Sequence, residues 1–201
     1  GRKQSLHHVS EFVGRVKERF EAQISKSGLV GLPTGYRHLD KATGGLLDTD
    51  LIVIGARPSV GKTALAANIA LNLAMRDVPV AFYSMEMSEE QVLGRMISAT
   101  ANVTRAEMRR PDLHDTVKER LEYAYGRVSK CPLYIDDRSA RTPLEIRASL
   151  RRATRQFGVR VAFIDYIQLM NPIYRTGNRN QDVEQISKGL KDTAKDLRMP
   201  I

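Results

Sequence analysis

The eight residues Ala56-Arg57-Pro58-Ser59-Val60-Gly61-Lys62-Thr63 place a small residue, a glycine, a lysine and a hydroxyl at the spacing of a phosphate-binding loop. In such a loop backbone N–H groups, together with the N-terminus of the following helix, cradle phosphate oxygens. The lysine reaches the β and γ phosphates and the hydroxyl ligates Mg²⁺. Alanine stands where the pattern has its first glycine, and it is small enough for the same tight turn. The chemistry these residues predict is binding of a nucleoside triphosphate with Mg²⁺, with Lys62 and Thr63 as the residues that touch it.

Hydrolysis needs acids nearby, and three segments end in them: Glu86 after Phe82-Tyr83-Ser84, Asp136 with Asp137, and Asp165 after Phe163-Ile164. In an open parallel sheet the carboxyl ends of strands face the ligand crevice, so any of these can serve a nucleotide. Asp165 ends the most uniformly apolar run, which suits an acid that holds Mg²⁺ through water. Glu86 suits an acid that orients or deprotonates the attacking water. Ordinary strand-end or helix-capping carboxylates look the same in sequence, so the three remain open on this reading.

The elements that must position these groups follow from periodicity. Leu51-Ile52-Val53-Ile54 has no polar alternation, as expected for a strand covered on both faces, and leads into the loop. An alanine-rich helix is predicted from about Lys62 to Met75, then a strand over about Val80 to Ser84. Capping boxes at Ser88/Gln91, Thr104/Glu107 and Thr142/Glu145 start three further helices, the last with Pro143 at its first position. A helix with Val117, Leu121, Ala124, Tyr125 and Val128 on one face separates the first two of these from a strand ending at Asp136. Val161 to Asp165 reads as another strand, Asn171 to Asn180 as a loop, and Val183, Ile186, Leu190, Ala194 and Leu197 as one face of a last helix. Strands alternating with helices predict an α/β fold, a mostly parallel sheet with helices on both faces. Val9, Phe12, Val13, Val16, Phe20 and Ile24 recur at helical spacing before the break Ser25-Lys26-Ser27-Gly28, so an amphipathic helix precedes the main domain.

The 201 residues suffice for one such domain and a short appendage, and the formal charge of +9 with a pI near 9.8 describes a surface that attracts polyanions. Seven arginines against one acid lie between Arg138 and Arg160, and Arg175 and Arg179 lie in the loop beyond. Such clusters bind phosphate backbones without reading sequence. Cys131 is the only cysteine, which excludes an intrachain disulfide and a cysteine-built zinc site and fits a reducing compartment. No apolar run approaches the ~18 residues of a membrane helix, and the basic first 20 residues lack the apolar block of a secretory signal. A cytoplasmic protein without membrane contact is expected. Because the chain opens on Gly1 and breaks off at Met199-Pro200-Ile201, where a strand is starting, it also reads as a piece of something longer.

Gly31-Leu32-Pro33-Thr34-Gly35 with Leu39-Asp40 and Gly44-Gly45, followed by the phosphate loop, resembles the RecA-like motor domain of DnaB-type replicative helicases. In the same order, Ser84-Met85-Glu86-Met87-Ser88 with Gln91 and Arg95, Ile135-Asp136-Asp137, and Ile164-Asp165-Tyr166-Ile167-Gln168-Leu169-Met170 are similar to that family. The resemblance covers Gly31 to Ile201, and the preceding segment is similar to the family's linker helix. It implies residues 1–28 as linker helix and connection and residues 29–201 as a RecA-like P-loop motor domain truncated at its C-terminal end. It further implies ATP and Mg²⁺ as ligands, Ala56 to Thr63 as the nucleotide-binding loop, Glu86 as the residue that activates water, and Asp165 beside Thr63 at the metal. A ring homo-hexamer translocating on single-stranded and forked DNA is implied as well, with primase and a helicase loader as partners of the complete protein. The arginine finger and sensor residues of the family would lie beyond Ile201. Two other classes share parts of the pattern: a RecA-like recombinase or clock-type ATPase, against which the Arg57-Pro58-Ser59 stretch argues, and a nucleotide-gated docking module that would tolerate loss of Glu86. No Asn-Lys-x-Asp guanine-reading motif is present.

Overall fold

The computed structural model describes residues 8–27, 29–57 and 59–201. The chain falls into two compact units, one ending at Leu47 and one running from Asp48 to Ile201. In the first, helix α1 (Ser10–Ser27) forms where the amphipathic helix is predicted, and the side chains of Val9, just before it, and of Phe12, Val13 and Val16 are exposed. Gly28 and the side chains of Phe20 and Ile24 lie outside the described residues. Helix α2 (Arg37–Thr43) ends on Gly44, whose φ of 74° supplies the left-handed C-terminal cap that a side chain disfavours.

The glycines around α2 have a physical account. Leu32 and Leu46 pair in an antiparallel bridge, and the two chains approach so closely that a Cβ on Gly31 would lie 2.6 Å from the Leu46 carbonyl oxygen, and one on Gly45 2.7 Å from that of Leu32. Asp40, itself buried, accepts from the amide and hydroxyl of Thr34 at 2.7 Å each and from the Gly35 amide at 3.2 Å. The turn motif thus holds itself together, with its carboxylate used structurally.

In the second unit, helix α3 (Lys62–Ala74) leads to β1 (Val80–Ser84), then α4 (Glu89–Ala101), α5 (Arg105–Met108), α6 (Asp115–Val128), β2 (Leu133–Asp136), α7 (Pro143–Phe157), β3 (Val161–Asp165), a short 3-10 turn (Ile167–Leu169) and α8 (Arg179–Leu197). The sheet is parallel with β1 in the centre, between β2 and β3. Every β1 side chain is buried, as expected for a strand covered on both faces. Ala81 and Tyr83 join Ile146 and Leu150 of α7 and Ile186, Leu190 and Ala194 of α8 in one apolar cluster. Val80 and Phe82 point the other way, where α3 lies on the sheet and α4 packs against α3 and α6. Burying such side chains stabilises the fold by about 1.5–3 kcal/mol each. The predicted α/β architecture with helices on both faces is therefore present, and all three capping boxes form.

The run Leu51 to Ile54 departs from expectation. It forms no laddered strand, and Ile52 and Val53 are 41% and 67% exposed. The Ile52 amide donates to the Ile201 carbonyl, the Ile201 amide donates to Asp50, and the Ala162 amide of β3 donates to Pro200. Residues 200 and 201 thus stand between this run and β3 and pair with its first half. Among the described residues Val53 and Ile54 have no ladder partner. Tyr125, expected on the buried face of α6, is exposed as well, while Leu121, Ala124 and Val128 are buried. A tyrosine at the rim keeps its hydroxyl in water.

Candidate nucleotide-binding site

The phosphate loop is distinguished by how its helix begins. Helices α4 and α7 start with a serine or threonine cap and carry Glu89, Glu90 and Glu145 in their first turns. Those groups satisfy the orphan amides and oppose the positive end of the helix dipole. α3 starts instead on Gly61, with no side-chain cap and no acid in its first turn. Its first amides therefore remain available to an anion. Gly61 has φ of 104°, and Ser59, although not glycine, has φ of 63°. These left-handed residues turn the backbone sharply into the helix, and the Val60 amide donates to Arg57 within the turn. Ala56, Arg57, Ser59, Val60 and Gly61 are exposed, while Lys62 and Thr63 are half-buried on the first turn of α3. Pro58 lies outside the described residues.

The three groups of strand-end acids separate by their partners. Asp136 accepts from Arg138 Nε at 2.9 Å and Arg138 Nη2 at 2.7 Å, and from Arg141 Nη1 at 2.7 Å. Burial pushes its carboxyl pKa up, but the hydrogen bonds from Arg138 and the charges of Arg141 and Arg138 outweigh it and hold the group below the usual carboxylate range. Asp137 accepts from the Glu89 amide at 3.2 Å, at the start of α4. Both residues are thereby engaged in holding elements together. Asp165 is only 3% exposed, and its Oδ2 has no hydrogen-bond partner. Burying an unsatisfied carboxylate oxygen costs about 1–3 kcal/mol or more, so such an atom is a place where a ligand compensates.

Glu86 is brought beside Asp165 by backbone pairing. Ser84 of β1 stands opposite Asp165 of β3, and the next amide, of Met85, donates to the Asp165 carbonyl at 2.7 Å. Ser84 Oγ then donates to the Met87 carbonyl at 2.7 Å and accepts from its amide, a tight turn with the exposed Glu86 near its tip. Among the described residues no ion pair or hydrogen bond engages Glu86. The structure therefore brings Glu86 and Asp165 together at the carboxyl end of the sheet and leaves both uncommitted, while α3 packs on β1 and β3.

A family model described as the DnaB-like helicase C-terminal domain matches residues 31–201. The chain belongs to this family. The replicative DNA helicase DnaC of Bacillus subtilis (strain 168) is 41% identical over 200 residues, covering 98% of this chain and 44% of the relative. The replicative DNA helicase DnaB of Geobacillus stearothermophilus is 36% identical with the same coverage. This chain thus spans less than half the length of these curated relatives. Among solved structures, one described as an ATPase domain superposes with a TM-score of 0.89 at 29% identity, over 98% of this chain and 70% of that one. A DnaB-like replicative helicase, whose structure is described together with its interactions with primase, gives 0.85 at 29% identity over 100% of this chain and 48% of that one. The DnaB-like fold therefore accounts for the parallel sheet and for the phosphate loop ahead of it, and nucleotide use is the property this domain brings.

Sequence reading did not single out two features of this DnaB-like site. Lys62 Nζ lies 3.9 Å from the centroid of the Tyr166 ring, a cation–π contact between residues far apart in sequence. Arg141, 7% exposed, joins three elements: it pairs with Asp136 of β2, lies over the Tyr83 ring of β1, and its carbonyl accepts from the Asn171 amide. The only signal for Arg141 was its place in the arginine-rich stretch. Four of those seven arginines meet carboxylates, Arg138 and Arg141 at Asp136, Arg147 and Arg151 at Asp196. No helix among the described residues is long and apolar enough to cross a membrane.

Proposed function

We propose that this chain is the ATP-hydrolysing motor segment of a replicative DNA helicase that works as a ring of six identical subunits, moving on single-stranded DNA and opening forked duplex. The observation that carries this reading is the pairing of an uncapped α3 N-terminus at Gly61 with a buried, partnerless Asp165 oxygen, in a chain of the DnaB-like family.

In this reading the backbone N–H groups of Ala56, Arg57, Ser59 and Gly61 and of the first turn of α3 bind the phosphates, and Lys62 neutralises charge that grows on the β–γ bridge as it breaks. Glu86 holds the attacking water and takes its proton. The residues fit Mg²⁺: Thr63, with a hydroxyl on the first turn of α3, and Asp165, with its unpaired Oδ2, would hold it. When bound, that ion supplies Lewis-acid stabilisation to the transferring phosphoryl group.

The loop from Asn171 to Asn178 is pinned at both ends, by Asn171 on Ala140 and Arg141 and by Arg179 on the Gln168 carbonyl. That leaves Tyr174, 68% exposed, and Arg175 between the anchors, where they can meet a nucleic-acid strand. We assign residues 1–28 to a linker helix and 29–201 to the motor domain, place the protein in the cytoplasm, and assign primase and a helicase loader as partners of the complete protein. The test is forked-duplex unwinding and DNA-stimulated ATPase of the full-length protein, beside Lys62→Ala and Glu86→Gln. Loss of both activities in both variants supports the motor and the residue roles. ATP binding without unwinding by the intact protein would replace the motor with a recombinase or docking role.

A further inference from the structure

The Lys62 ammonium lies against Tyr166, the residue that follows Asp165 in the chain. The carboxylate of Asp165 has an unpaired, buried oxygen, and the ring of Tyr166 is the next residue along. Although an ammonium ordinarily prefers a carboxylate, the Lys62 ammonium sits on the ring face, 3.9 Å from its centroid. Among the described residues it makes no ion pair with any acid. A Lys62–Asp165 pair would consume both groups the nucleotide site depends on, the cation for the phosphates and the anion for the metal, and a ligand would have to break it to enter. A ring quadrupole is a weaker partner, readily exchanged for phosphate oxygens.

We propose that Tyr166 is a positioning residue that holds Lys62 on its ring face and so keeps the phosphate-binding cation from pairing with Asp165. The inference rests on the nucleotide-site reading above. Tyr166 touches neither phosphate nor metal in this role; it acts through Lys62. It is also placed to report the exchange. The Leu169 amide donates to the Tyr166 carbonyl, so Tyr166 begins the 3-10 turn, and the carbonyl of Gln168 in that turn accepts from Arg179 at 2.6 Å. Lys62 leaving the ring for a phosphate therefore changes the contact of the residue that leads into the Asn171–Asn178 loop.

The test is the equilibrium affinity of the full-length protein for a non-hydrolysable ATP analogue, with Mg²⁺ and with EDTA, in Tyr166→Phe, Tyr166→Leu and a protein carrying pentafluorophenylalanine at position 166. The fluorinated ring keeps the shape of phenylalanine but no longer presents a negative face, so it guards against a folding defect in the leucine variant. Phe is expected to stay within about twofold of the parent, whereas Leu and the fluorinated ring weaken binding about five- to tenfold. In an Asp165→Asn background, measured in EDTA, the Leu substitution is expected to cost less than about twofold, because the competing carboxylate is gone. An equal loss in both backgrounds, or a fluorinated ring that behaves like Phe, overturns the proposal. If the parent protein binds the analogue and Lys62→Ala abolishes binding while position 166 is silent, only this inference fails. If the parent does not bind nucleotide, the reading beneath it fails too.

Discussion

Glu86 follows the end of β1 that pairs with Asp165, and the surroundings of the two acids differ. Asp165 is buried with an unpaired oxygen, while Glu86 stands exposed near the tip of the Ser84–Met87 turn. In the proposed role of Glu86 as base, replacing it by Gln keeps the shape and removes that function, so ATP hydrolysis should fall about 10²–10⁴-fold while nucleotide affinity changes little; steady-state ATPase and analogue binding on one preparation check both. Replacing Thr63 by Ala removes the hydroxyl proposed to hold Mg²⁺. Its expected signature is a raised Mg²⁺ requirement, read from a Mg²⁺ titration of ATPase at fixed ATP, with helical content unchanged because alanine suits the first turn of α3. Asp136 and Asp137 look equally catalytic in sequence, and only their arginine and amide partners remove them from the candidates.

Among the elements, α7 and α8 meet at a point where sequence propensity misleads. Gly189 lies inside α8, where glycine costs about 1 kcal/mol against alanine. A Cβ there would come within 2.8 Å of the Pro143 Cβ at the start of α7. Proline is rigid and cannot give way, so Gly189→Ala should destabilise the second unit despite its better propensity, by about 1–3 kcal/mol from overpacking. For a chain this size each kcal/mol is worth about 2–4 °C in Tm, and a thermal melt that rises instead would show that the helices can move apart. The helices were legible because caps and apolar spacing are local; Ser88, Thr104 and Thr142 begin theirs where the capping pattern puts them. Leu51 to Ile54 shows that a strand also needs a partner, which among the described residues meets only its first half.

For the whole molecule, charge governs both stability and binding. Asp136 has its pKa lowered in the fold, so its contribution is fully present above the unfolded carboxylate value, about 3.9, and is lost as pH falls through the lower folded value. The stability gap between the parent and Asp136→Asn should therefore be widest near neutral pH and close below about pH 4, as measured by denaturant unfolding across that range. In the proposed motor, binding to single-stranded DNA should weaken linearly with the logarithm of salt concentration. If Arg175 meets a phosphate, Arg175→Ala should reduce that slope by about 0.7, whereas an arginine that only decorates the surface leaves it unchanged. Arg147 and Arg151, held by Asp196, are expected to matter more for the seating of α7 on α8.

The sequence by itself determined the phosphate loop, the order of strands and helices after it, and the acids that can serve a nucleotide, because each is written in residues close together. Glycine, lysine and threonine must be adjacent to share one turn, and capping pairs must lie three residues apart. Tertiary structure decided which acids are uncommitted, that Lys62 rests on Tyr166, that Arg141 ties β1, β2 and the Asn171 loop together, and that Leu51 to Ile54 is only half paired. Each of those depends on which distant groups the fold brings within a few ångströms, and an ammonium, a carboxylate or an amide has no preference in sequence for the partner it finally meets.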